Sequence, residues 1–214
     1  MNTNKLQNNR REYTRFRLDK AELAADPLDQ LKSWLAKAEA DDLPDYNAMV
    51  LSTAGSDMQV HSRNVLLRDI LPEGLVFYTN YQSQKGREIT ENNRVSLLFF
   101  WPSHERQVRI EGSIMKAPAS MSDAYFAGRP RDSQLAAHAS AQSEELRNPK
   151  DLQAALERAE NRFTGKPVSR PGYWGGYIVR PHRWEFWQGQ ESRLNQRFEY
   201  RLDENGWNIR QLQP

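Results

Sequence analysis

The sequence contains no cysteine among its 214 residues, and this absence excludes disulfides, thiolate metal sites and cysteine nucleophiles. The formal net charge is only +2, so no global field attracts nucleic acid, and any anion site has to be a local cluster. No apolar run approaches the length of about 18 residues that a membrane-spanning helix needs. We therefore expect neither nucleic acid nor a membrane as a partner.

Motifs that mark several enzyme classes are also missing. The four histidines (His61, His104, His138 and His182) show no metal-ligand spacing, so we predict no metal site. There is no phosphate-binding loop, Rossmann glycine turn or nucleophile elbow, and no paired-carboxylate motif. The polar N-terminal segment lacks the apolar core of a secretory signal, so a cytoplasmic location is expected. Binding residues without an acid–base or nucleophilic centre suggest that a cofactor carries the chemistry.

The periodicity of the apolar residues indicates a mainly β fold with helices. Short strands separated by turns are predicted over about 47–115, helices over about 120–163, and strands again over about 176–212. Such short connections favour an antiparallel arrangement, so we expect the α+β class, with a β-barrel-like sheet and helices packed outside it. The polar residues 1–18 are predicted to form a flexible arm, and residues 19–214 a single domain.

Four clusters of polar residues are candidates for a binding site, and one of them, Gln107 with Gln142 and Ser143, offers neutral donors that are uninformative alone. The first joins Arg63 and Arg68 to Tyr78, Thr79 and Lys85, and such basic and hydroxyl groups bind phosphate through charge-assisted hydrogen bonds. On one strand, Arg63 and Arg68 are predicted to point to opposite faces because their separation is odd. They would then serve different ligands, or one of them would face solvent. Ordinary solvated charge is the alternative explanation of the cluster.

The second cluster is Tyr125, Arg129 and Ser133, which are spaced four residues apart. On an unbroken helix these residues would share a face and could hold an anion between two hydroxyls and a guanidinium. Pro130 interrupts such a helix, so we predict a helix–turn–helix corner instead. The alternative is a simple helix break followed by a cap at Asp132 or Ser133.

The third cluster lies on a strand predicted over Arg193–Leu202. Alternation places Arg193, Asn195 and Arg197 on one face of this strand. With Trp187 from the preceding strand, they could form the wall of a pocket for an aromatic anion. The alternative is a face that simply meets solvent.

These clusters belong to a longer series of matches, by which the sequence resembles the pyridoxamine 5′-phosphate oxidase family from about residue 10 to residue 214. The stretches that carry the resemblance are Arg10–Tyr13, Arg63–Arg68, Val76–Asn80, Arg94–Phe99, Glu105–Val108, Arg129–Gln134, Trp174–Gly176, Glu185–Gly189 and Arg193-Leu194. Their number and order make the resemblance specific. It implies a split β-barrel homodimer that binds FMN at the interface between its subunits.

The resemblance also implies two sets of site residues. The set that would contact FMN is Arg63, Asn64, Val65, Leu66, Leu67, Arg68, Tyr78, Thr79, Gln84, Lys85, Gln107, Gln142, Ser143, Trp187 and Arg197. The set that would contact the substrate is Arg10, Tyr13, Arg68, Tyr125, Arg129, Ser133, Arg193, Leu194 and Asn195. Within the second set, Arg193 and Asn195 would face the reacting carbon and act as the catalytic residues.

The implied reaction is hydride removal from C4′ of pyridoxamine or pyridoxine 5′-phosphate to flavin N5. Oxygen is the final acceptor, and the products are pyridoxal 5′-phosphate (PLP) and peroxide, with ammonia from an amine substrate. Arg193 would support the substrate electrostatically. No protein nucleophile is needed, in agreement with the missing motifs.

Three residues depart from the family pattern: Arg68 replaces the usual Lys, Gln84 the usual Arg, and Asn195 the usual His. Flavin binding is expected to survive because Arg63 and Lys85 remain. Asn195 removes the titratable group near the reacting carbon. Two alternatives therefore stay open: a related FMN oxidase that acts on another ring, of the phenazine-pathway type, and a non-catalytic FMN- or PLP-binding protein.

Overall fold

The computed structural model describes residues 11–214. The α-helices of this described part are α1 (Pro27–Ala40), α2 (Gln84–Glu91), α3 (Ala119–Ala127), α4 (Arg131–Ala139) and α5 (Pro149–Arg162). The β-strands are β1 (Ala48–Ala54), β2 (Val60–Leu66), β3 (Asp69–Leu71), β4 (Gly74–Asn80), β5 (Arg94–Trp101), β6 (Arg106–Lys116), β7 (Trp174–Gln188), β8 (Gln196–Asp203) and β9 (Gly206–Leu212). None of the helices described has the length and apolar character needed to cross a membrane.

The strands form a sheet with the hydrogen-bonded order β2-β1-β5-β6-β7-β4-β3, while β8 pairs with β7 and β9 pairs with β8. The pairs β3–β4, β4–β7, β7–β8 and β8–β9 are antiparallel. Their register places Tyr78 of β4 opposite Gly176 of β7, and Trp187 of β7 opposite Arg197 of β8. The predicted α+β class with an antiparallel sheet is therefore confirmed.

The chain divides into two compact units, each built from several segments. The first unit contains the described residues up to Met49 together with Leu97–Glu111 and Pro181–Pro214. The second unit contains Val50–Ser96 and Gly112–Arg180. The prediction of a single domain after the N-terminal arm stays a prediction.

Helix α1 supplies much of the core of the first unit. Its start is fixed by Asp26, whose side chain accepts a hydrogen bond of 2.7 Å from Leu28 N, and by Pro27, which needs no hydrogen-bond acceptor in the first turn. On its apolar face, Trp34 is buried and lies edge-on to Phe186, with the ring centres 5.2 Å apart. This aromatic contact holds the helix against β7.

The second unit contains the predicted corner between two helices. Helix α3 ends at Ala127 and α4 starts directly after Pro130, because proline disfavours the helical conformation in the residue before it. Phe126 and Leu135, one from each helix, are buried in a cluster with Trp174 of β7. This packing fixes the corner between the helices, and the predicted helix–turn–helix is confirmed.

Candidate functional site

A cavity of ≈ 620 Å³ in the second unit gathers most of the residues expected to contact a cofactor. The members of the predicted FMN set that line it are Arg63, Asn64, Val65, Leu66, Arg68, Tyr78, Thr79, Gln84, Lys85, Gln142 and Ser143. Tyr125 and Arg129 of the predicted substrate set line the same cavity. A larger cavity of ≈ 720 Å³ is lined by only one of the predicted site residues, Gln142.

The prediction that Arg63 and Arg68 point to opposite faces of one strand is wrong. Both residues line the same cavity, because β2 ends at Leu66 and Arg68 follows the strand. Alternation of side chains applies only within a strand. The chain leaves the strand between the two arginines, so both cations line one cavity.

A carboxylate that was not predicted from the sequence, Glu88, lies beside Arg63. Arg63 donates to the Leu51 carbonyl and the Thr53 hydroxyl, and its guanidinium lies 3.3 Å from a Glu88 oxygen. Burial raises the pKa of Glu88, but hydrogen bonds from Thr53 and Gln84 and the charge of Arg63 together hold it below its ordinary value. Glu88 follows Gln84 by one helical turn, a spacing that could have revealed it.

Lys85 is a buried ammonium near the start of α2. Its Nζ lies 3.3 Å from Ser83 Oγ, 3.4 Å from Thr79 Oγ1 and 3.3 Å from Gln142 Oε1. No carboxylate of residues 11–214 forms an ion pair with it, and burial together with the charge of Arg63 lowers its pKa. An unpaired buried cation is costly, so this position favours an anionic ligand.

Arg129 is a second cation without a carboxylate partner, at the corner between α3 and α4. Its guanidinium lies 4.6 Å from the centre of the Trp174 ring, and its NH1 atom is buried with no hydrogen-bond partner in the described structure. Burial and the charge of Arg68 lower the pKa of Arg129. Ser133 lines an adjoining cavity of ≈ 270 Å³ with Arg129.

Stacked aromatic rings support this end of the cavity. The rings of Tyr78 and Tyr125 are 3.7 Å apart and 3° from parallel, and Tyr78 also stacks on Trp174. A Cβ added at Gly176 would lie 2.8 Å from Tyr78 Cε1, so glycine is needed where the ring crosses β7. Of the predicted trio, Tyr125 and Arg129 line the ≈ 620 Å³ cavity, and Arg129 and Ser133 line the adjoining one.

The other predicted residues do not line the ≈ 620 Å³ cavity. Leu67 is buried in the second unit. Those that belong to the first unit are Tyr13, Gln107, Trp187, Arg193, Leu194, Asn195 and Arg197. Arg10 lies outside the described residues.

The strand predicted over Arg193–Leu202 begins three residues too early, since β8 starts at Gln196. Ser192 and Arg193 have φ angles of 55° and 61°, which are left-handed values that a strand does not contain. The placement of Arg193, Asn195 and Arg197 on one strand face is therefore wrong. Arg193 and Asn195 lie instead in the loop that precedes the strand.

Arg197 is held by a carboxylate of the neighbouring strand. Its Nε and NH2 atoms each lie 3.0 Å from an oxygen of Glu185, and this pairing raises the pKa of Arg197. The NH1 atom of Arg109 lies 3.4 Å from Glu185 Oε2, the oxygen that Arg197 NH2 also contacts. The two-point pairing fixes the plane of the Arg197 guanidinium.

The same face of the sheet carries a second buried carboxylate, Glu199, which lies opposite Glu185 in the register. Arg183 and Arg210 each donate through Nε to Glu199 at 2.5 Å. Burial raises the pKa of Glu199, but these hydrogen bonds outweigh it, and the net pKa lies below the ordinary value of 4.5.

Glu199→Gln is expected to lower the unfolding temperature at about pH 7, because the paired carboxylate stabilises the fold above the pKa of the unfolded chain. As the pH falls from 4.5 through the lower pKa that Glu199 has in the folded protein, the carboxylate becomes protonated and this stabilisation is lost. The difference between the two proteins should therefore shrink in acid. Thermal unfolding across this range measures it, with Glu204→Gln at an exposed position as the control. A difference that does not depend on pH would contradict the assignment.

Among solved structures, the chain is similar to PhzG from Burkholderia lata in complex with tetrahydrophenazine-1-carboxylic acid. The two are 32% identical, the match covers 95% of this chain and 100% of the other, and the TM-score is 0.88. A pyridoxamine 5′-phosphate oxidase-related, FMN binding protein from Nostoc punctiforme has the same fold at 14% identity, with a TM-score of 0.70. The expected fold, the split β-barrel of the FMN-binding class with peripheral helices, is confirmed.

Comparisons with family models and with related sequences agree with the class that the solved structures indicate. Residues 35–163 match the model described as pyridoxamine 5′-phosphate oxidase, and residues 174–214 match the model described as the pyridoxine 5′-phosphate oxidase C-terminal dimerisation region. A pyridoxine/pyridoxamine 5′-phosphate oxidase from Rubrobacter xylanophilus is 49% identical over 96% of this chain and 94% of its own length. Another from Hydrogenovibrio crunogenus is 45% identical over 96% of both chains. The chain is an oxidoreductase that belongs to the pyridoxine/pyridoxamine 5′-phosphate oxidase family.

Proposed function

We propose that this protein oxidises pyridoxamine 5′-phosphate and pyridoxine 5′-phosphate to PLP, with FMN as cofactor and O2 as acceptor. The observation that carries the proposal is the set of cations in the ≈ 620 Å³ cavity. Arg68, Lys85 and Arg129 form no ion pair with any residue from 11 to 214, although Lys85 is buried and Arg129 has a buried, unpartnered nitrogen. Two phosphorylated ligands would supply the missing anions.

FMN suits the end of the cavity that holds Lys85. The Lys85 ammonium and the Arg63 guanidinium supply the positive charge, and Gln142 and Ser143 supply neutral donors and acceptors for a phosphate and a heterocycle. Glu88, Thr53 and the Leu51 carbonyl restrain Arg63 through its NH1 and NH2 atoms, which leaves the Nε–H group for a ligand. When bound, FMN supplies the two-electron acceptor that no residue of this chain provides.

The substrate phosphate suits the other end. Arg129 would donate through its unpartnered NH1, with the hydroxyls of Tyr125 and Ser133 beside it. Arg68 would add a planar fork of donors where a lysine would give a point charge. The stacked rings of Tyr78 and Tyr125 keep this end rigid, so little ordering is needed when the phosphate binds.

We also propose that two copies form a homodimer with FMN at their interface. The match of residues 174–214 to a dimerisation region supports this assembly. The same region carries Trp187, Arg193, Asn195 and Arg197, which do not line the cavity described above. The segment around Tyr13 and Arg10 would close over the substrate.

The test is to record the flavin spectrum of the purified protein, add pyridoxamine 5′-phosphate in air, and follow PLP and peroxide. We expect a yellow protein and equal amounts of both products. A yellow protein that forms no PLP would contradict the proposed reaction while leaving the cofactor in place. A colourless protein that FMN cannot reconstitute would contradict both.

A related FMN oxidase that acts on a phenazine precursor is the second candidate, because PhzG is similar over nearly the whole chain and Asn195 departs from the family pattern. Its ring substrate would carry a carboxylate and no phosphate. The same assay with a reduced phenazine carboxylate decides between the two. Faster turnover of that compound than of pyridoxamine 5′-phosphate would favour the second candidate.

A further inference from the structure

The loop Gly189–Asn195 contains a backbone conformation that is unfavourable for its residues. Ser192 and Arg193 have consecutive φ angles of 55° and 61°. Residues with a Cβ atom are disfavoured in this left-handed region, and two in succession are rare. Neighbouring contacts must therefore hold the loop in place.

Asn195 supplies the contact that closes this loop upon itself. Its side-chain oxygen Oδ1 accepts a hydrogen bond of 3.1 Å from Gln190 N, across the two left-handed residues. The Leu194 N–H donates to the Glu191 carbonyl at 3.1 Å inside the same loop. The Asn195 side chain is half-buried, so water competes for this hydrogen bond less than it would at an exposed position.

The N-terminal segment holds the outside of the loop. Glu12 accepts a hydrogen bond of 3.2 Å from Ser192 N, and Gln190 donates through its side chain to the Phe16 carbonyl at 2.7 Å. These contacts fix the loop relative to that segment. The contact made by Asn195 differs from them because it is internal to the loop and survives if the segment moves away.

The side chain that this loop presents is Arg193. It is exposed, and within residues 11–214 its guanidinium makes no hydrogen bond and no ion pair. An arginine with no partner at the apex of a constrained loop is available to an anionic or aromatic ligand. The left-handed backbone of Arg193 sets the direction in which its side chain leaves the loop.

We propose that Asn195 is a positioning residue that acts through Arg193: by accepting the Gln190 N–H it holds the left-handed turn and thereby aims Arg193 at the substrate. This inference rests on the proposed function, in which Arg193 contacts the substrate. It assigns Asn195 a task in holding the backbone, whereas the family resemblance places it beside the reacting carbon. The amide at this position then removes a titratable group without removing the acceptor that the loop needs.

The test is a double-mutant cycle on the FMN-loaded protein with the variants Asn195→Leu, Arg193→Ala and the two combined. Leucine keeps the approximate size of asparagine but offers no acceptor. The affinity for PLP, the reaction product, is measured by its absorbance, and KM and kcat for pyridoxamine 5′-phosphate are measured separately. Asn208→Leu, at an exposed position on β9, is the matched control.

We expect Asn195→Leu to weaken PLP binding about tenfold, the value of one lost hydrogen bond in the loop. In the Arg193→Ala background the same change should have almost no further effect, since the side chain through which it acts is gone. The Gln190 amide should lose protection against hydrogen exchange in Asn195→Leu and keep it in Arg193→Ala. FMN affinity should stay within a few-fold of the wild type.

The outcomes separate the inference from the proposed function. If the effect of Asn195→Leu is as large without Arg193 as with it, Asn195 acts on its own and the inference is overturned. The inference is also overturned if Asn195→Leu binds PLP like the wild type while Arg193→Ala does not. If Arg193→Ala binds PLP like the wild type, the proposed function is wrong in its use of Arg193.

Discussion

Replacing Arg129 with leucine is expected to raise the KM for pyridoxamine 5′-phosphate about 100-fold. The guanidinium would lose two charge-assisted hydrogen bonds to the phosphate, worth about 3 kcal/mol together, and each 1.4 kcal/mol is about tenfold. The folded protein should not become less stable, because Arg129 NH1 is buried without a partner and leucine leaves no charge to bury. Steady-state kinetics and thermal unfolding measure the two effects.

The control for this change is Arg158→Leu. Arg158 is exposed and makes no hydrogen bond or ion pair with any residue from 11 to 214, so its removal should leave KM unchanged. The Arg129 variant should also lose its preference for phosphorylated over unphosphorylated substrate. A normal KM in the Arg129 variant, or an equal rise in both variants, would show that the phosphate binds elsewhere.

Lys85→Met is expected to weaken FMN binding about 100-fold, because a buried ammonium without a carboxylate partner would lose its contact with the flavin phosphate. The same change should stabilise the protein without flavin at neutral pH, since burial of the Lys85 charge costs free energy. The substitution is thus expected to weaken FMN binding but to raise the stability of the apoprotein. Flavin fluorescence titration and thermal unfolding of the apoprotein measure these two effects.

The pH dependence of the apoprotein provides a further check. Burial lowers the pKa of Lys85 below its ordinary value of 10.5, so the unfolded chain binds this proton more tightly than the folded chain. Relative to Lys85→Met, the free energy of unfolding of the wild type should therefore rise as the pH approaches 10.5 from below. Lys150→Met, at an exposed position, should behave like the wild type. Lys150→Met is also the control for FMN binding. If both variants bind FMN more weakly, the loss reflects the change in net charge and not the position of Lys85.

The parts of the fold that follow from local rules were predictable. The start of α1 at Pro27 follows from the cap at Asp26, and the corner after α3 follows from Pro130. The antiparallel sheet follows from the short turns between strands. In each case a residue and its immediate neighbours in sequence determine the backbone.

The errors arose where contacts between distant residues decide the outcome. The early end of β2 brings Arg63 and Arg68 to one cavity, and nothing in the local pattern marks that end. The left-handed turn at Ser192 depends on Asn195 within the loop and on Glu12, which lies 180 residues earlier in the chain. Alternation along a strand could not predict a conformation that is held by partners elsewhere.

The buried carboxylates of the two units were missed for a similar reason. Glu88, Glu185 and Glu199 look like ordinary surface charges in the sequence, because acidic residues are seldom buried without a partner. Each becomes recognisable only once the strand register or the helix places an arginine beside it. Arg63 and Arg197 were predicted to contact a ligand, whereas the structure shows that each is also paired with a glutamate.

The most direct measurement of the proposed reaction is an anaerobic titration of the FMN-loaded protein with pyridoxamine 5′-phosphate, followed by the flavin absorbance. We expect the yellow absorbance to be lost with about one equivalent of substrate. Unphosphorylated pyridoxamine at the same concentration should leave it unchanged, because it lacks the phosphate that Arg129 and its neighbours are proposed to bind. Absorbance that persists with pyridoxamine 5′-phosphate, or that is lost equally with both compounds, would contradict the proposed reaction.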